Sequence, residues 1–342
     1  MDFSRMPRLT TRREMLQAAT AVAGGALLGG LAPKGVFAEP AGAAGAAYMP
    51  QAGAQSAAAA AAAVDAMRKT LAMTPMTTMK LADNITLISG PGGNVTVLDG
   101  PDGKVMVDDF VQTVQAKLQE TLNGISNAPL KFVVNSHWHF DHTDNNAAMH
   151  KAGATLLGHE NTRKRLTETH HLDILNLTFT PSPAEALPQQ TFRDNFRLFF
   201  NNEQMTMGYF GPAHTDGDIW IRYEKANVLH VADIFFNGFY PFIDRGTRGG
   251  INGMINAANK ALAMADDKTK IVPGHGPLGD KAALTKYISV LTTSRDKVKE
   301  LKTQGKSLKE VIAAKPTAEF DDPWGKVLIP PDGFVTLIYS TL

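Results

Sequence analysis

His137-Trp138-His139-Phe140-Asp141-His142 is the stretch that decides the reading of this chain. It follows Phe132-Val133-Val134, a short apolar run consistent with a buried strand, through Asn135-Ser136. Three imidazoles and one carboxylate so close together cannot all face one ion. On a loop at a strand end they can splay toward two ions. Histidine offers a neutral ring nitrogen near neutral pH, and zinc accepts such nitrogen and oxygen sets at about 2.0–2.2 Å. The bland alternative is a chance cluster of core histidines, and the rest of the chain weighs against it.

The 342 residues, 44% of them apolar, suffice for one large domain with a real core. There is no cysteine, which excludes disulfides, thiolate ligands and a cysteine nucleophile. Any metal must be held by imidazole and carboxylate, a set that suits zinc, iron or manganese better than copper(I). Lysine plus arginine (34) nearly equals aspartate plus glutamate (33), and without residues 1–38 the balance is 29 against 31. No nucleic-acid partner is expected from such a charge.

Residues 1–38 read as an address. Thr11-Arg12-Arg13-Glu14 precedes a soft apolar run from about Ala18 to Ala32, and Val36-Phe37-Ala38 has the small-residue pattern of a cleavage site. The paired arginines resemble a twin-arginine leader. That resemblance implies the twin-arginine export machinery as a partner and a periplasmic or secreted location. The run is short and broken by glycine, so no stable membrane span is expected. Residues 39–74 read as an Ala/Gly-rich linker and a short helix, in which Ala57–Ala63 continues into Val64, Met67 and Leu71. The folded domain is expected over 75–342.

Within it, Ile85–Ile88, Val95–Leu98 and Val105–Val107 are β-rich runs separated by Gly90-Pro91-Gly92-Gly93 and Pro101-Asp102-Gly103, the pattern of a meander. A helix is expected through Val111, Val114, Leu118 and Leu122. Ile219–Tyr223, Val228–Val231 and Ile271-Val272 read as strands, and Ile251–Met264 and Ala282 to about Lys302 as helices. Two strand-rich stretches, each followed by helices, predict an α+β fold with two sheets face to face and helices outside. Ser307 to Glu310 has the form of a helix-capping start, opening a C-terminal helical tail. The tail, rich in apolar and aromatic residues to Tyr339, could fold back or pair with a second copy in a homo-oligomer.

The spacing His-x-His-x-Asp-His is similar to the signature of the metallo-β-lactamase superfamily, and the resemblance continues in order along the chain. Gly211-Pro212-Ala213-His214 supplies a lone histidine on a glycine-flanked loop. Asp233 follows the strand Val228–Val231, His275 sits in Pro273-Gly274-His275-Gly276, and Asp108 ends Val105-Met106-Val107. The resemblance implies a four-layer αββα sandwich. It also implies His137, His139 and His214 on a first zinc, Asp141, His142 and His275 on a second, Asp233 bridging them, and Asp108 orienting the loop from outside. The resemblance makes the chain an enzyme, a metal-dependent hydrolase with two Zn2+ (iron or manganese as substitutes), and Asp141 and Asp233 its catalytic carboxylates.

Fold alone does not choose the substrate. His139 stands where flavin-linked diiron reductases usually carry glutamate. Asp233 stands where many β-lactamases carry cysteine, and Phe236 where those enzymes commonly carry a lysine for the antibiotic carboxylate. The expectation is therefore a metal-activated hydroxide acting on a small-molecule ester, lactone, thioester or amide, with at most weak β-lactamase activity. Two other readings stay open: a mononuclear iron dioxygenase of the persulfide dioxygenase type, and a non-catalytic periplasmic metal- or partner-binding module. Phe235 to Phe242 is unusually aromatic, with Asn237 and Tyr240 as candidate hydrogen-bond donors in a substrate pocket. His230, in mid-strand, reads as a core residue.

Overall fold

Helix α1 (Ala57–Leu71) leads into a meander of β1 (Thr77–Ala82), β2 (Ile85–Gly90), β3 (Gly93–Gly100) and β4 (Gly103–Val107) in the computed structural model, which describes residues 57–342. The leader over 1–38 and the linker up to residue 56 lie outside the described residues. Helix α2 (Gln115–Ile125) crosses to β5 (Leu130–Asn135), parallel to β4. The short α3 (Phe140–Thr143) and α4 (Asn146–Lys151) lead to β6 (Thr155–His159), and α5 (Glu160–Leu166) follows. A hairpin of β7 (His170–Leu172) and β8 (Leu177–Phe179) precedes β9 (Gln190–Phe192), which completes a seven-stranded sheet beside β6.

The second sheet has five strands: β10 (Asn195–Phe200), β11 (Glu203–Tyr209), β12 (Ile219–Tyr223), β13 (Val228–Phe236) and β14 (Lys270–His275). All its pairings are antiparallel except β13 with β14, which are joined through α6 (Ile251–Ala263). The C-terminal helices are α7 (Lys281–Thr303), α8 (Leu308–Ala313), α9 (Asp321–Trp324) and α10 (Pro331–Thr341).

Strand alternation sorts the apolar residues into layers. Val105, Val107, Val134 and Leu157 meet Met205, Ile221, Val228 and Val272 between the sheets. Their neighbours in sequence, Met106, Val133 and Leu156, point the other way, onto Leu118, Leu122 and Met149 of the outer helices. Leu229 and Ile271 likewise face Met254, Leu284, Val290 and Ile338 on the far side. The result is the four-layer αββα sandwich expected from the sequence. Each buried valine or leucine contributes about 1.5–3 kcal/mol, so strands buried on both faces fix their own register.

Two departures from the sequence reading bear on the site. The helix expected from Val111 opens as a tight turn, Gln112–Val114, before α2 begins. Strand β13 runs on to Phe236, so Asp233 lies inside it rather than after it. Its ladder with β14 slips around Ala232, whose φ of 44° is left-handed. A bulge of this kind re-aims the next side chain, and here that side chain is Asp233. Asp108, leaving β4, is left-handed as well, with φ of 64°. Strained backbone of this sort, at about 1–3 kcal/mol per residue, persists where surrounding structure over-determines it.

Candidate metal centre

The loop after β5 and the first turn of α3 carry four of the donors. Asp108 braces this loop at both ends. Its carboxylate accepts from the Ser136 amide and hydroxyl, both at 2.7 Å, and from His142 Nδ1 at 2.8 Å. The Thr143 hydroxyl donates to the His139 carbonyl at 3.0 Å, tightening the turn between the histidines.

His214 arrives from the loop after β11, Asp233 from the β13 bulge and His275 from the end of β14. The seven residues gather into two adjacent groups, His137, His139, His214 and Asp233 in one and Asp141, His142 and His275 in the other. In the first, His139 Nδ1 lies 3.0 Å from His137 Nε2 and 2.8 Å from His214 Nε2. Asp233 sits between the groups: its Oδ2 is 3.3 Å from His214 Nε2 and 3.4 Å from His275 Nε2, and its Oδ1 is 3.3 Å from His142 Nε2. Asp141 Oδ2 is 3.5 Å from His275 and 3.6 Å from His142. The first group is buried, whereas Asp141 and His275 are partly exposed, so the centre opens on the side of the second group.

This arrangement fits a pair of metal ions. Three imidazole nitrogens converging on one point can share at most a proton or two, and their lone pairs otherwise repel. His142 Nε2 and Asp233 Oδ1 are buried and have no hydrogen-bond partner. Buried polar atoms are costly unless satisfied, and a cation bound between these groups would satisfy both. In the first group each remaining imidazole nitrogen is tied down: His137 Nδ1 on the Ser136 hydroxyl, His214 Nδ1 on the Phe242 carbonyl, His139 Nε2 on Asp244 at 3.3 Å. Such partners fix the tautomer and aim the ligand nitrogen.

Electrostatics divide the centre in the same way. Burial pushes His214 down to about 3, and burial together with His142 drives His137 well below its usual value. These imidazoles are therefore neutral and ready to ligate. Burial would depress His142 too, but Asp233, Asp141 and Asp108 outweigh it and hold a proton there. Burial also opposes a charged Asp233, yet His275 and His142, which hold protons beside it, keep it ionised. A metal arriving at the second group must displace protons, so loading weakens as pH falls.

Residues 89–275, more than half of the chain, match the sequence profile described as "Metallo-beta-lactamase superfamily". The chain belongs to the metallo-β-lactamase superfamily. No curated protein matches the sequence. Among solved structures, a metallo-β-lactamase from Pontibacter korlensis is similar with a TM-score of 0.52 and 16% identity, over 64% of this chain and 99% of that one. The metallo-β-lactamase DIM-1 is similar at 0.51 and 18%, over 65% and 99%. VMB-1 is similar at 0.51 and 18%, over 64% and 97%. At these identities the likeness shows the fold and not a substrate.

Two expected pocket residues make bonds within the fold. The Tyr240 side chain is buried, stacks on Phe334 at 4.3 Å and donates its hydroxyl to Asp321 at 2.8 Å, so it anchors the C-terminal segment instead of facing substrate. Asn237 Nδ2 donates to the Pro277 carbonyl at 2.8 Å and its amide to the His275 carbonyl at 3.0 Å. It holds the His275 loop with one of its two Nδ2 N–H groups. Asp244 escaped sequence reading, since nothing in Phe242-Ile243-Asp244-Arg245 marks it as the partner of a histidine 105 positions away. His170, on β7, packs its ring against Trp138 with centroids 4.5 Å apart and planes tilted by 41°. His230 is a core residue, bonded through Nδ1 to the Thr96 hydroxyl at 2.9 Å.

Proposed function

We propose that this protein is an exported hydrolase that works with two zinc ions on a small, uncharged ester, lactone, thioester or amide. The observation that carries the proposal is the pair of donor groups sharing Asp233. Two divalent cations held there would supply Lewis acidity and lower the pKa of water from about 15.7 toward 7. Asp141, partly exposed at the mouth and 3.5 Å from His275, is placed to take up a proton on the open side. Asp233 keeps its charge in a buried setting and holds the two groups together. Phe236 lies flat against the His275 ring at 5.2 Å, giving the site an apolar wall where a cation would favour a substrate carboxylate. That wall supports an uncharged acyl substrate over a β-lactam. The proposal of twin-arginine export to the periplasm or beyond rests on Arg12-Arg13 and the apolar run after them.

The test is elemental analysis of protein purified without added metal, beside His137→Ala. About two zincs per chain, reduced in the variant, is expected. Turnover on a panel of neutral lactones, esters and thioesters should then exceed turnover on β-lactams. A single iron and little zinc would sink the proposal in favour of a mononuclear iron dioxygenase, which needs only one of the two groups. Stable zinc with no turnover on any acyl substrate would leave a binding module.

A further inference from the structure

Helix α1 lies outside residues 89–275 that match the superfamily, yet it is bonded to the loop that carries the second donor group. Arg68 grips Asp144 with a fork: Nε donates to Oδ2 and Nη2 to Oδ1, both at 2.7 Å. The two side chains are only 18% and 9% exposed, so this is no loose surface pair. Asp144 caps the end of α3, two residues after His142 and three after Asp141, and it also accepts from the Gln112 amide at 2.9 Å. The Thr113 hydroxyl returns a bond to the Arg68 carbonyl. One stripe of α1, with Ala60 and Val64 buried, packs against β8. From β8, Phe179 stacks on Phe140, between two of the ligand positions, at 5.0 Å. The short helix α3 has four residues and cannot hold its own shape, so its placement depends on these external contacts.

We propose that Arg68 is a positioning residue for the metal centre. Through Asp144 it fixes α3, and with it Asp141 and His142, so that a segment N-terminal to the shared fold governs occupancy of the second donor group. This rests on the reading of the centre as a two-metal site. A planar guanidinium matches a carboxylate with two parallel bonds, which a lysine ammonium cannot reproduce.

The experiment measures zinc stoichiometry and affinity by competition with a chromophoric chelator. It uses wild type, Arg68→Ala, Arg68→Lys and Asp144→Asn, each checked for folding by circular dichroism. Wild type should take up two zincs. In Arg68→Ala and Asp144→Asn the tighter zinc should bind unchanged while the second weakens by about tenfold, the low end of what loss of a direct partner of a ligand costs, since these two act one step further out. Arg68→Lys should fall on the same side, and it keeps the test open if the alanine variant does not fold. Variants that melt earlier but bind both zincs within about twofold of wild type would overturn the proposal and leave Arg68 a purely structural residue. Wild type taking up no second zinc would instead overturn the two-metal reading itself.

Discussion

Each histidine of the first group presents one nitrogen to its neighbours and has the other fixed by a named partner, and these partners determine how far the sequence alone could be read. That these imidazoles and carboxylates converge was legible, because such donors crowded on a post-strand loop have few other uses. Asp108 was legible through its place at the end of β4. Asp244 was not, because its role exists only once β13 and the loop after it bring it onto His139. Burial opposes its charge, but its hydrogen bond to His139 and the pairing with it bring Asp244 down to about 2. It therefore stays a carboxylate across the working range. Asp108→Asn and Asp244→Asn should separate the two groups. On the proposed two-zinc reading, the first should weaken the zinc beside His142 and the second the zinc beside His139, each by about 10–100-fold in affinity. Chelator competition on the two variants checks the assignment, and equal effects on both zincs would contradict it.

Strands and helices with strong alternation or helical spacing were read correctly from the sequence: the meander, α6, α7 and the capping box at Ser307 and Glu310 all stand where their residues place them. The elements that went unread owe their form to turns. In the β10–β11 hairpin, Asn201 and Asn202 both adopt left-handed φ (52° and 56°), the two-residue turn that asparagine tolerates. The bulge at Ala232 has no sequence mark at all, since it arises from the mismatch between β13 and β14. At the end of β14, Gly274 meets this bulge so closely that an added Cβ would fall on Asp233 Oδ1 and crowd the Ala232 carbonyl carbon at 2.7 Å. Gly274→Ala should therefore push the shared carboxylate out of place, abolishing most zinc uptake while the far-UV spectrum stays native. Gly124→Ala is the contrast. It lies in α2 with open space around it, and should raise stability by roughly 0.5–1 kcal/mol without touching zinc content. Denaturant midpoints and metal analysis on the pair check both statements.

At the scale of the whole molecule two packing surfaces matter, the C-terminal helices on the second sheet and the sheets on each other. The tail folds back: Phe334, Leu337 and Ile338 are buried against the outer face, and Tyr240 bonds to Asp321 beneath them. Tyr240→Phe keeps the stacked ring but loses that bond, so it should cost about 1 kcal/mol in a urea melt and leave turnover unchanged. Between the sheets the apolar core is interrupted by a polar cluster, in which the Thr96 hydroxyl of the first sheet meets Tyr223 and His230 of the second at 2.8 and 2.9 Å. These bonds fix the sheets in one lateral position, which apolar contacts alone leave loosely specified, but they put a titratable ring in a dry interior. Burial pushes His230 down to about 4. Above about pH 7.5 the ring is neutral in both folded and unfolded chains and pH has almost no effect through it. As pH falls from there toward 4, the unfolded chain takes a proton that the folded chain refuses, so stability drops, by about 2 kcal/mol near pH 5 and about 3 kcal/mol once below pH 4. Other buried histidines add their own slope, so the comparison is with His230→Gln, in metal-free protein. The stability gap between wild type and variant should shift by that amount, in the variant's favour, between about pH 7.5 and 5. A gap independent of pH would mean that the ring between the sheets is protonated as readily as in water, and that the interior there is wet.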